Sequence, residues 1–238
     1  MTSIDLNADV GEMDIELDAR IIEVVSSVNI ACGGHAGDDT TMTAVAVLAS
    51  QRGIRIGAHP SYVDRERFGR AHQHVAPGIL RQQIREQIGR LAANSPTPLA
   101  YVKPHGALYH RAAVDPDVAQ ALVDAADGLP LMGQGGAEYL RLAAAAGVPT
   151  IHEGFADRAY TDGGRLVPRG EDGAVLAAEH AVLEQVAHLA EGRVRTVTGR
   201  VITVLAQSVC VHSDTPGAAD LAHRIAAHLR AAGIEIRP

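Results

Sequence analysis

The sequence predicts an α/β protein built as one closed or nearly closed parallel β/α barrel, a single domain over residues 1–238. Three observations lead there. Short apolar runs alternate with longer stretches of helical period, the pattern left by repeated βα units around a parallel sheet. Nearly every run ends in ionisable or hydrogen-bonding residues, as strands do when a barrel carries its site on the C-terminal face. No Gly/Ser-rich or Pro-rich linker and no shift in composition divides the 238 residues, a length that one barrel reaches without splitting.

The pattern supports about seven units. A first strand over 3–6 leads to Asp5, Asn7, Asp9 and Glu12. A second over 27–31 leads to Asn29, Cys32, His35 and Asp38, and a helix over 39–51 opens on an Asp/Thr cap signal and closes before Gly53. The third strand, 55–58, ends at His59 and is followed by a helix over 77–93. The fourth, 99–102, runs into Lys103 and His105 before a helix over 115–126. The fifth, 131–133, precedes a helix over 137–146. The sixth, 150–152, leads to Glu153, Asp157 and Arg158, then to a long loop over 160–173 carrying Gly163, Gly164 and Gly170, then to a helix over 173–191. The seventh, 208–211, leads to His212 and Asp214, and a helix over 217–232 completes the series. The helices repeat Ala, Leu or Val at steps of three and four.

Composition narrows the partners. A hydrophobic fraction of 47% with 21% charged residues is that of a folded globular chain. The net charge of −7 is spread without an acidic or basic block, so nothing offers the cationic surface that nucleic acid demands. The N-terminus has no basic and apolar leader, and no run of about 18 apolar residues occurs, so a cytoplasmic protein without a membrane partner is expected. Cys32 and Cys210 lie far apart and read as reduced thiols. Of the 21 basic side chains 20 are Arg and one, Lys103, is Lys. A chain that writes Arg wherever any surface cation serves has kept one compact ammonium, which suggests a site that needs it.

In a parallel barrel all the strand C-termini open on one face, so these polar residues are expected to converge. Any one of them taken alone reads as a cap or a turn residue, as Asp38 does; His recurring at strand ends does not. His72, His74, His180, His188, His223 and His228 read instead as solvated residues of helices and loops. Asp9, His59 and His105 suit a divalent metal, one hard carboxylate with two imidazoles. A Lys or Arg supplying the positive charge in place of an ion is the alternative. Gly106 and the Gly33-Gly34 pair either let a ligand approach the backbone or serve tight turns. Cys32 near His35 reads as a buried thiol rather than a nucleophile. No GxxxxGK[ST], GxSxG or HExxH motif is present.

On these residues the chain resembles the LamB/YcsF family from end to end. The resemblance rests on DLNADVGE at 5–12, NIACGGHAGD at 29–38, GAHPSYVD at 57–64, KPHGALY at 103–109, EGFADRAY at 153–160, RLVPRG at 165–170 and CVHSDTPGA at 210–218. Gly34, Val63 and Ser213 depart from the family pattern without removing an ionisable group. The resemblance implies a distorted seven-stranded TIM-like barrel of the glycoside hydrolase/deacetylase type, with Asp9, His59 and His105 as counterparts of a metal site for magnesium, manganese or zinc. It also implies an ATP-dependent hydrolase that opens the lactam of 5-oxoproline to glutamate together with two further subunits, B and C, with ATP as co-substrate. In that setting Asp9, Lys103, His105, Asp157 and Arg158 are the expected catalytic residues. Asn7, Glu12, His35, Glu153, His212 and Asp214 are the expected substrate-binding ones. Two alternatives stay open, a metal-dependent carbohydrate N-deacetylase and a non-catalytic substrate-binding subunit.

Overall fold

The computed structural model describes residues 3–168, 170–211 and 217–238. In chain order the elements are β1 (Ser3–Val10), α1 (Ile15–Ile22), β2 (Ser27–Ala31), α2 (Asp39–Gln51), β3 (Arg55–His59), α3 (Pro77–Asn94), β4 (Tyr101–Val102), α4 (Gly106–Ala112) and α5 (Pro116–Ala126). They continue with β5 (Leu131–Gln134), α6 (Glu138–Ala145), β6 (Thr150–Phe155), α7 (Glu179–Ala190), β7 (Arg193–Arg195), β8 (Val201–Thr203), β9 (Ser208–Val211), α8 (Ala218–Ala231) and β10 (Glu235–Ile236). The ladder β1-β2-β3-β4-β5-β6-β9 is parallel throughout, and β9 pairs back onto β1 to close a seven-stranded barrel. β10 extends the outset of β1 through the pair Ile4 and Ile236.

β1 runs on to Val10 rather than stopping at residue 6, and that extension organises the interior. Alternate side chains of a strand point to opposite faces. Ile4, Leu6, Ala8 and Val10 join the apolar core beneath the helices, with Val28, Ile30, Ile56, Leu80, Ile84 and Leu229. Asp5, Asn7 and Asp9 form the other row and are all buried. Barrel lumens are ordinarily filled by branched aliphatic residues; this one is polar and hydrogen-bonded. Asp5 accepts from Ser26 Oγ at 2.7 Å, Ser27 Oγ at 2.6 Å and Ser208 Oγ at 2.5 Å. Asn7 donates to Ser208 Oγ at 2.7 Å and accepts from Asn29 Nδ2 at 2.7 Å, and Asn29 Nδ2 also donates to Asp9 Oδ1 at 2.8 Å. Each group so deep costs several kcal/mol unless paired, and these hydrogen bonds offset most of that cost, Asn29 Oδ1 being left without a hydrogen-bond partner.

β6 likewise extends to Phe155, which brings Glu153 inside the strand. α1 and α4 are short helices in stretches to which the sequence assigns no element, and the antiparallel pair β7 and β8 is an excursion before β9, tied to the barrel by the bridge Tyr160 to Thr196. The helix expected from residue 173 begins at Glu179, because 158–175 is a bridged loop in which Arg158 pairs Val175 and Tyr160 pairs Leu166. Among the described residues no helix is long and apolar enough to cross a membrane.

Candidate active site

The C-terminal ends of the strands open onto a cavity of about 450 Å³. Asp9, His59, Lys103 and His105 form its polar wall, Tyr109, Phe155, Leu166 and Pro168 line its apolar part, and Arg70, His110 and Arg158 add positive or titratable groups. Residues as far apart as Asp9 and Arg158 thus meet at one face, as expected. His212 and Asp214 lie outside the described residues.

Lys103 stands at the centre, only 2% exposed. Its Nζ is 2.8 Å from Asp9 Oδ1 and 2.7 Å from Glu153 Oε1, and it also reaches Asn7 Oδ1 at 3.3 Å and Cys210 Sγ at 3.1 Å. Burial alone would push the ammonium toward neutrality; the carboxylates of Asp9 and Glu153 more than offset this and hold it charged, well above the ordinary lysine value. The lumen column therefore ends in a fixed cation on the cavity wall. Asn7 and Glu153, expected to bind substrate, lie behind that wall: Asn7 has both amide ends engaged by protein, and Glu153 is wholly buried.

Beside the lysine is a packed imidazole cluster. His59 Nδ1–H donates to the Lys103 carbonyl at 2.8 Å, and His105 Nε2–H donates to the Phe68 carbonyl at 3.0 Å. Carbonyls only accept, so in neutral rings both protons are committed there. His59 Nε2 and His105 Nδ1 then face each other at 3.0 Å with lone pairs only, a contact that calls for one shared proton or a cation. Glu12 Oε1 lies 3.3 Å from His105 Nδ1 and accepts from His35 Nε2–H at 2.8 Å. Burial opposes the ionisation of Glu12, yet the neighbouring His105 and His35 rings prevail and keep it far below the usual carboxylate range. Burial likewise pushes His35 down to about 4, partly countered by Glu12. Its ring stacks on His105 at 3.7 Å between centroids, and its buried Nδ1 has no hydrogen-bond partner.

Ligand atoms of Glu12, His35, His59 and His105 all lie within 4.8 Å of one another, a donor set that fits a zinc-type ion. This differs from the expected trio. Glu12 and His35 join His59 and His105 in the cluster, while Asp9 turns Oδ1 to Lys103 and Asn29 and leaves Oδ2 3.4 Å from His59 Nε2, beside it.

The backbone that holds His105 is itself unusual. Phe68, whose carbonyl fixes the His105 tautomer, has φ 55, a left-handed conformation that costs a non-glycine residue about 1–2 kcal/mol. The next turn packs against the start of α4, where Ala107 N–H donates to Gly69 O at 2.9 Å and a Cβ on Gly106 would sit 2.6 Å from that same oxygen. Gly106 thus serves close backbone approach. Arg158 is buried and donates to the carbonyls of Val167 at 2.6 Å and Ala174 at 3.3 Å, so it braces the 159–176 loop as well as lining the cavity, with Asp157 buried next to it in sequence. Both cysteines are free and buried, and burial pushes the Cys32 thiol up to about 12, which fits an inert thiol.

Tyr109, Phe68, Arg70 and His110 were not among the residues expected from sequence. Tyr109 belongs to the motif that carries Lys103, and its hydroxyl lies 3.3 Å from Glu153 Oε2. Arg70 stands over the Phe68 ring at 5.2 Å and no single-sequence signal separates it from 19 other arginines.

Comparison with known proteins gives a consistent picture. The model of the LamB/YcsF family matches residues 4–238. The A subunit of 5-oxoprolinase from Streptomyces avermitilis is 48% identical, with 98% of each chain covered. Among solved structures, the lactam utilization protein from Thermus thermophilus superposes with a TM-score of 0.92 at 34% identity, covering 99% of both chains. A family 4 carbohydrate esterase from Streptomyces lividans shares the fold, with a TM-score of 0.57 at 11% identity over 99% of this chain and 91% of that one.

Proposed function

The chain belongs to the LamB/YcsF family, and from that premise we propose that it serves as the A component of an ATP-dependent 5-oxoprolinase, working as a single barrel domain with subunits B and C to turn 5-oxoproline, ATP and water into glutamate, ADP and phosphate. Relatives named for that component of 5-oxoprolinase match it over its full length at 43–48% identity, and a lettered component implies a multi-subunit enzyme.

The observation that carries the chemistry is the buried ammonium of Lys103, fixed at 2.8 Å and 2.7 Å by two carboxylates on the wall of the cavity. Opening a lactam develops negative charge on the carbonyl oxygen, and a cation already in place stabilises that charge without reorganising. A five-membered lactam recloses with high effective molarity, so its hydrolysis needs an exergonic partner reaction such as ATP cleavage. Phosphorylation of the lactam oxygen, then attack of water on the activated carbon, uses the same site: Lys103 and Arg158 neutralise phosphoryl or oxyanion charge. Asp9 or His105 takes the proton from water. Asp157 binds the substrate nitrogen or orients Arg158, and Glu12 and His35 hold the imidazole cluster in register.

A divalent ion held by Glu12, His35, His59 and His105 would supply Lewis acidity beside the same pocket. That donor set also favours a second reading, metal-dependent removal of acetyl groups from N-acetylated carbohydrate. One assay separates the two. Glutamate release from 5-oxoproline is measured with the purified chain, B, C and ATP, each omitted in turn, in parallel with deacetylation of N-acetylated chito-oligosaccharide by the zinc-loaded chain alone. Glutamate only from the complete mixture is expected. Acetate release without ATP or partners, and no glutamate from the complete mixture, would establish the second reading.

A further inference from the structure

The phenol on the cavity wall belongs to no step above. Tyr109 lies on α4, within the same short motif as Lys103, and is 5% exposed. Its oxygen accepts from the Gln134 amide at 2.6 Å, and its hydroxyl donates to Glu153 Oε2 at 3.3 Å. The polarity of this relay is fixed, because a backbone amide can only donate and a carboxylate can only accept. Two edge-on aromatic contacts, to Phe155 at 5.8 Å and Tyr139 at 6.2 Å, hold the ring. Burial, before any other influence, pushes the phenol well above the usual tyrosine value, so it stays protonated and remains a donor.

We propose that Tyr109 is a positioning residue for Lys103, acting through Glu153: the phenol clamps one carboxylate oxygen so that the other holds the ammonium against the cavity. Glu153 is fully buried, and its Oε1, which has no hydrogen bond of its own, meets the ammonium as an ion pair, so the bond at Oε2 is what sets the plane of the carboxylate. With Oε2 tied to Tyr109, Oε1 faces Lys103 at 2.7 Å and the ammonium is pinned between Glu153 and Asp9. β5, β6 and α4 are thereby joined around one cation. The catalytic meaning of this rests on the role given to Lys103 in the proposed function; the placement itself does not.

Because Lys103 is the only lysine, labelling the chain with ¹⁵N-lysine yields one side-chain ammonium resonance. In the wild-type chain this signal is expected to be sharp and slow to exchange with water. Tyr109→Phe is expected to speed that exchange by about tenfold or more, the scale of one lost hydrogen bond to a charged group. Tyr101→Phe, which removes an equally buried hydroxyl bonded to the Val28 carbonyl, leaves the signal as it was. In the reconstituted enzyme Tyr109→Phe lowers kcat by about tenfold with KM within about twofold, and adds nothing in a Glu153→Gln background. An unchanged resonance in Tyr109→Phe overturns the proposal, as does a rise in KM alone or a full multiplicative loss on top of Glu153→Gln. Should Tyr109→Phe not fold, Glu153→Gln must itself accelerate the exchange, and a protected ammonium in that variant is equally fatal. The resonance needs no substrate or partner, so wild-type enzyme that fails to turn over 5-oxoproline counts against the proposed function and not against this clamp.

Discussion

Asp18, on the buried face of α1, accepts the Gly11 amide at 2.8 Å and so steadies the turn that presents Glu12 to the imidazoles. Burial pushes its carboxyl up to about 7, the Gly11 hydrogen bond only partly opposing this, while Oδ1 has no hydrogen-bond partner. An acid raised in this way lends stability that is full below its unfolded value, near 4, and is lost as pH rises through about 7. Asp18→Asn keeps the acceptor but cannot ionise. Urea unfolding at pH 5 and pH 8 should therefore show the variant gaining on wild type at the higher pH, on the order of a few kcal/mol at most. A difference that does not move with pH would put the proton elsewhere. At this scale the sequence was partly legible. Lys103 stood out because every other basic side chain is Arg, whereas Asp18 and Tyr109 look like an ordinary helix acid and an ordinary core aromatic until their neighbours are known.

The turn from β4 into α4 concentrates more of the site than any other element. Residues 103–109 carry the ammonium, one imidazole, a glycine at φ 55 and the phenol, and the glycine is where α4 crosses the Phe68-Gly69 backbone. Gly106→Ala meets both a left-handed φ and the Gly69 carbonyl, so it should displace His105 from the Phe68 carbonyl while the barrel stays folded. Expected are an unfolding free energy lowered by about 1–3 kcal/mol and turnover lost out of proportion to that change. A variant with wild-type turnover would show the crossing to be dispensable. The helices with clear caps and glycine stops were legible, and 39–51 is reproduced as Asp39–Gln51. α1 and α4 were not, because eight and seven residues hold too few turns for a period to stand out. β1 was cut short for a related reason: its inward row of Asp and Asn breaks the apolar run, and polar residues usually mark the end of a strand rather than the lumen of a barrel.

Across the whole molecule, the closed seven-stranded ladder turns a polar inner row into a column that rises from Asp5 to Lys103 and delivers one charge to a cavity. Barrel and convergence of the site were legible because strand-end chemistry survives in a linear chain. That Glu12 and His35 join His59 and His105 in the cation-compatible cluster was not, since it depends on how three loops meet at the rim. The most direct measurement is the turnover number of the Lys103→Ala enzyme, reconstituted with B, C and ATP at saturating 5-oxoproline, with folding checked by its thermal transition. Loss of a preorganised charge donor predicts a fall of about 10²–10³-fold in kcat, in a chain that still folds; a folded variant releasing glutamate at the wild-type rate would contradict it.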